Sequence, residues 1–100
     1  MARLDDDEIA GALVALDGWE RTGDAIRKVY TFAGFRAAIA FVDRLAEVAI
    51  AARHHPDLEI HYNRVVVSLT SHDAGGVTGA DLALARGIEA VADAPGSAES

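Results

Sequence analysis

No cysteine occurs in the 100 residues, which excludes disulfides and thiolate metal sites. No run of 18 apolar residues free of charge occurs, so the sequence offers no membrane span. The N-terminus, MARLDDDEIA, lacks an apolar signal core, and export by that route is not expected. Basic residues are few: nine Lys and Arg, single or in short pairs, against sixteen Asp and Glu. A net charge of −7 argues against nucleic acid as a direct partner, because phosphate binding needs clustered cations. No G-x-S-x-G motif is present, so serine-nucleophile machinery is not evident. These absences leave a soluble, cytoplasmic domain as the expectation.

The residues that are present fill that outline. Hydrophobic residues make up 51% and charged residues 25%, a globular balance. One hundred residues suit one domain, 1–100, and bury about two-thirds of the unfolded surface, enough for one core. The ordered core is expected over about 5–92, with PGSAES in a frayed tail over 93–100.

Periodicity supplies the elements. Asp5-Asp6-Asp7-Glu8 suits a helix N-terminus, with Ile9, Leu13 and Leu16 at helical spacing before Gly18. Trp19 begins a strand, Thr22 to Asp24 turn, and Ala25 to Phe32 return. Phe35 to about Ala52 reads as a long helix with two apolar stripes, one through Phe35, Ile39, Val42, Ala46 and Ala49, the other through Phe41, Leu45 and Val48. Such a helix is covered on more than one side, by the sheet and by a second subunit, unless its small alanines simply tolerate exposure. Pro56 stops it. DLEIHY alternates, Asn63-Arg64 can turn, and Val65 to His72 forms the partner strand, with His72 at its end. Thr78 and Asp81 form a T-x-x-D capping box opening a last helix through about Val91. The order α-β-β-α-β-β-α gives an α+β fold: a four-stranded antiparallel sheet with helices packed on one face.

Within this frame the histidines stand out. His54 and His55 are adjacent, His61 follows, and His72 is the fourth and last. If the two later strands form a hairpin, its open end brings His54, His55 and His72 to one sheet edge and leaves His61 at the far end. Imidazoles titrate near neutrality, so one can donate a proton while another accepts one. That suits loss of water across two adjacent atoms. A solvated junction is the simpler reading of the doublet, and three histidines could also hold zinc, although the H-x-x-x-H spacing is missing. For Asp81 the capping box is a sufficient explanation.

His54-His55-Pro56-Asp57, then Tyr62, His72 and Asp81, together resemble the pterin-4a-carbinolamine dehydratase family. LDGW (Leu16 to Trp19) and FAGF (Phe32 to Phe35) look like further family features, and the likeness spans roughly residues 5 to 92. The resemblance implies dehydration of 4a-hydroxytetrahydropterin to quinonoid dihydropterin, in tetrahydropterin recycling, without metal or organic cofactor. It implies His54 and His72 as the acid–base pair, with His55 also polarising or holding the pterin. Pro56, Asp57, Tyr62 and Asp81 join His55 as substrate-binding residues. It implies a homodimer or homotetramer through the middle helix and sheet. Two positions depart from the pattern: Ile50 stands where a carboxylate is frequent, and Leu58 where tryptophan is. The different-class alternative is an oligomeric pterin- or protein-binding module that has lost catalysis.

Overall fold

A computed structural model describes residues 2–92; the tail expected over 93–100 lies outside the described residues. The chain begins with α1 (Asp6–Leu13), capped by Asp5. The Asp5 carboxylate accepts from Glu8 N at 2.8 Å, while Glu8 Oε1 accepts from Asp5 N at 3.0 Å, a reciprocal capping box that uses the acidic run. α1 stops at Leu13, short of the Leu16 that helical spacing suggests. Ala15 N and Leu16 N donate three residues back, to Ala12 and Leu13, so the chain tightens into turns that drop Leu16 into the core.

Strands β1 (Glu20–Thr22) and β2 (Ala25–Thr31) form the first hairpin, and β3 (Asp57–His61) and β4 (Arg64–Leu69) the second. All pairings are antiparallel, in the order β1-β2-β4-β3. Ile26, Lys28 and Tyr30 of β2 lie opposite Leu69, Val67 and Val65 of β4, so these six share one face, the one the helices cover. β4 is central and its Val65, Val67 and Leu69 are fully buried. β3 is an edge strand. Its Leu58 and Ile60 face the helix side, opposite Val67 and Val65, yet both stay exposed.

The second turn sits one residue earlier than Asn63-Arg64: it is Tyr62-Asn63, with Tyr62 at φ 53°. Asn63 fixes that position. Its Nδ2 donates to Phe32 O at 3.0 Å, and Phe32 N donates back to Asn63 O at 2.8 Å.

α2 (Phe35–Ala52) crosses the sheet, with Phe41, Leu45 and Ala49 buried beneath it. Phe41 stacks into an aromatic cluster with Tyr30 and Phe32, at centroid distances of 4.7 and 5.0 Å. α3 (Gly79–Ala92) gives α2 its second cover from within the same chain. The two helices touch closely at Gly87, where a Cβ would lie 2.9 Å from Val48 Cγ1. α3 is tied to β2 by Glu89, which accepts from Lys28 Nζ at 2.8 Å and from the Tyr30 hydroxyl. Phe35 and Ile50 of α2 remain exposed.

Candidate active site

Three chain reversals build the site. The first is the end of α2. Arg53 takes a left-handed conformation, φ 53° and ψ 39°, and donates its N–H to Ile50 O, while His54 N donates to Ala49 O. This is a Schellman closure with arginine where glycine is usual. It turns the chain so that His54 and His55 leave the helix axis on the side facing α3.

The second reversal follows β4. The strand ends at Leu69, earlier than the Val65–His72 span suggests, and His72 opens a 3-10 turn, η1 (His72–Ala74). The cause is local. Ser71 O accepts from the N–H groups of Ala74, Gly75 and Gly76, and Ser71 N donates to Gly76 O. Gly75, at φ 74°, is the residue that permits the loop to close on itself.

The third is the start of α3. Thr78 Oγ1 accepts from Ala80 N at 3.2 Å and Asp81 Oδ2 accepts from Thr78 N at 2.8 Å, the two arms of the T-x-x-D cap.

These reversals meet around a cavity of about 360 Å³ lined by Arg53, His54, His55, Thr70, Ser71, His72, Asp73, Ala74, Thr78 and Ala80. The three histidines are therefore gathered in one place. His61 is elsewhere, next to the hairpin turn, with Nε2 3.2 Å from Glu59 Oε1. A second cavity of similar volume, between the N-terminal segment and the β1-β2 turn, contains no histidine. Among the described residues no cluster of three or more His, Asp or Glu side chains is arranged to hold a metal ion.

The polar centre of the site is Asp81, fully buried. Its two oxygens have separate duties. Oδ2 accepts from Thr78 N and from Ser71 Oγ, at 2.8 and 2.9 Å. Oδ1 meets Nε2 of His54. Capping and histidine orientation are thus not alternatives for Asp81; one carboxylate does both. A carboxylate is an acceptor only, so the His54 proton lies on Nε2. In the neutral ring Nδ1 then carries the lone pair. Trp19 Nε1 is the one buried side-chain polar atom without a partner among the described residues, so His54 Nδ1 is not a buried, unpartnered atom, and His54 lines the cavity. The ring itself is only 18% exposed and is held at Nε2 by Asp81.

The remaining expected site residues separate. Pro56 and Asp57 directly follow the doublet but do not line the cavity; Asp57 starts β3 on the sheet's outer face, opposite Ser68. Tyr62 is at the opposite end of the hairpin, five β3 residues and about 17 Å away, and 70% exposed. Ile50, which stands where a carboxylate is frequent, is exposed and off the cavity, and the carboxylate that His54 meets comes from α3 instead. Arg53, Thr70, Ser71 and Asp73 line the cavity without having stood out in the sequence. The available signal was proximity: all lie within two residues of a histidine already singled out.

The family described as Pterin 4 alpha carbinolamine dehydratase matches residues 2–91. A protein of Thermomicrobium roseum, provisionally named pterin-4-alpha-carbinolamine dehydratase, is 56% identical over 92 residues, covering 92% of this chain and 99% of that one. One from Thermosynechococcus vestitus with the same provisional name is 47% identical over 90 residues, covering 90% and 95%. A solved transcriptional coactivator/pterin dehydratase from Brucella melitensis superposes with a TM-score of 0.87 at 39% identity, covering 90% of this chain and 98% of that one. A pterin dehydratase-like protein described as a RuBisCO assembly factor in the alpha-carboxysome shares the fold, with a TM-score of 0.63 at 21% identity, covering 76% and 88%. The four-stranded antiparallel sheet, the three helices and a sequence match across nine-tenths of the length lead to one assignment: this chain belongs to the pterin 4 alpha carbinolamine dehydratase family.

Proposed function

We propose that the chain removes water from 4a-hydroxytetrahydropterin by proton transfer between histidines. The observation that carries this reading is the cavity lined by His54, His55 and His72, with His54 Nε2 engaged by Asp81, which leaves Nδ1 of the neutral ring to accept a proton. In the substrate, C4a bears a hydroxyl and its neighbour N5 bears a hydrogen. His54, neutral and with Nδ1 free, takes the N5 proton. His72, protonated, gives a proton to the hydroxyl. The C4a–O bond breaks, the N5 electron pair forms a C4a=N5 double bond, and water departs with quinonoid dihydropterin as the product. His55, exposed beside them, polarises and holds the pterin ring. A 2-amino-4-oxopyrimidine edge offers two adjacent N–H donors, which suit a carboxylate, and Asp73 is the carboxylate lining the cavity. General acid–base catalysis of this kind supplies roughly 10²–10⁴-fold.

The test is stopped-flow decay of 4a-hydroxytetrahydropterin generated in situ, with purified wild type, His54→Ala and His72→Ala. Acceleration by wild type and its loss in both variants are expected. Wild-type rates in both variants would refute the roles assigned.

Self-assembly belongs to the same proposal. Leu58 and Ile60 on an unpaired sheet edge, with Phe35 and Ile50 on α2, are the exposed apolar residues a second copy would cover. Light scattering should give a multiple of 10.5 kDa. A persistent 10.5 kDa species would exclude a dimer or tetramer.

A further inference from the structure

Behind His54 lies a chain of donors that the proton-transfer reading does not use. Ala80 N donates to Thr78 Oγ1, which lies 2.8 Å from Ser71 Oγ, which lies 2.9 Å from Asp81 Oδ2. The direction of this chain is fixed at one end. Asp81 as a carboxylate only accepts, so the single hydrogen of Ser71 points to Oδ2. Ser71 must then accept from Thr78, whose hydroxyl is free to donate because its lone pair already serves Ala80 N. Every proton in the chain points toward Asp81. On its other side, among the described residues, Asp81 Oδ1 meets only the His54 ring nitrogen.

Resting on the reading that His54 transfers a proton, we propose that Ser71 is a positioning residue which acts through Asp81 to hold the His54 proton on Nε2. Two features single it out from the other cavity-lining hydroxyls. Thr70 Oγ1 donates away from the site, to Asp24 O at 2.6 Å. Ser71 instead has its backbone clamped by four hydrogen bonds to the turn after it, so its hydroxyl is held where Asp81 needs it. If Ser71 is lost, Oδ2 keeps only the Thr78 N–H. The carboxylate can then rotate away from His54, and the ring is released to either tautomer. His72 is unaffected in this scheme, and so is pterin recognition through Asp73.

The experiment has two readouts. On ¹⁵N-labelled protein without substrate, long-range ¹H–¹⁵N correlation reports which His54 nitrogen carries the proton. Wild type should show Nε2–H, and Ser71→Ala a mixture of tautomers. In the dehydratase assay Ser71→Ala should lower kcat about tenfold or more, by analogy with the scale at which outer-shell partners of metal-bound histidines act, with KM within about twofold. Ser71→Thr, which restores a hydroxyl, should recover both readouts. Ser71→Cys gives a nearly isosteric weak donor and an intermediate result if the alanine variant does not fold. An unchanged His54 tautomer in Ser71→Ala or Ser71→Cys would overturn the proposal, as would a rise in KM with kcat preserved, which would mean direct contact with substrate. Absence of dehydratase activity in wild type would instead refute the catalytic reading, leaving the tautomer measurement to decide the role of Ser71 alone.

Discussion

Replacing Asp81 by asparagine removes one negative charge and almost no volume, and the hydrogen-bond pattern dictates the consequence. Asp81 receives three donors: Thr78 N, Ser71 Oγ and His54 Nε2. An amide has one oxygen to offer. Thr78 N is a backbone donor and cannot become an acceptor, so the amide oxygen must take the Oδ2 position. The amide NH₂ is then forced against His54 Nε2. Two donors face each other, and the ring relieves this by moving its proton to Nδ1. Nδ1 changes from acceptor to donor, and in the proposed mechanism His54 can then no longer take a proton from substrate. The same carboxylate-to-amide exchange beside the imidazole of the serine-protease triad lowers kcat about 10⁴-fold. Here the loss is bounded by what a general base supplies, so a fall of about 10²-fold or more is expected. The stability cost is smaller, since two of the three donors stay satisfied. Loss of one charge-assisted hydrogen bond is worth about 1.5–3 kcal/mol, and each kcal/mol lowers the Tm of a domain this size by roughly 4–8 °C. Asp81→Asn should therefore remain folded at room temperature with its activity nearly gone. Stopped-flow kinetics and a thermal melt measure the two effects separately, and the cycle with His54→Ala identifies the route. In the His54→Ala background, Asp81→Asn should cost almost nothing further. Activity within about threefold of wild type, or an equal loss in both backgrounds, would refute the idea that Asp81 works through His54.

Two further outcomes rest on local geometry. Arg53→Gly relieves a left-handed L-residue, worth about 1–2 kcal/mol, and loses part of this to the greater freedom of glycine in the unfolded chain, so Tm should rise by a few degrees; an unchanged or lower Tm would show that the arginine side chain repays its strain through contacts. Arg21 donates to Asp6 and holds its carboxyl below the ordinary value. A carboxyl lowered on folding stabilises above its unfolded titration range and stops doing so as pH falls through its folded value. The urea midpoint of Asp6→Asn should accordingly lie below wild type near neutral pH and converge with it in strong acid; a gap that persists in strong acid would contradict this.

How much of this was legible beforehand depends on the range of the interactions involved. Periodicity found both hairpins and all three helices because each is written in residues a few positions apart. It erred where tertiary contacts set the boundary. β4 yields to η1 because Ser71 O gathers three N–H groups from Ala74 to Gly76, and no strand propensity encodes that turn. The hairpin turn slides to Tyr62-Asn63 because Asn63 is held by Phe32, 31 positions away in sequence. The long helix promised a second cover, and the chain supplies one internally in α3, at a closeness that Gly87 allows.

The site divides along the same line. Convergence of His54, His55 and His72 was readable because it needed only a hairpin with its open end at the doublet. The partition of Asp81 was not. In one dimension the T-x-x-D box accounts for the aspartate completely, and a complete local explanation hides a second one. A carboxylate has two oxygens, and a cap consumes only one of them. The other is directed at His54 because α3 begins just where β4 ends, beside the terminus of α2. Lys28 and Tyr30 tie α3 to β2 through Glu89, eight residues further along the helix. The same logic bears on Ile50. A carboxylate one turn before His54 would come from the helix that also carries the ring, and would move with it. Asp81 comes from a different helix, is sealed from solvent, and is fixed by Thr78 and Ser71 independently of the ring. A buried anchor on separate scaffolding restricts the imidazole more tightly than an exposed neighbour on its own helix can.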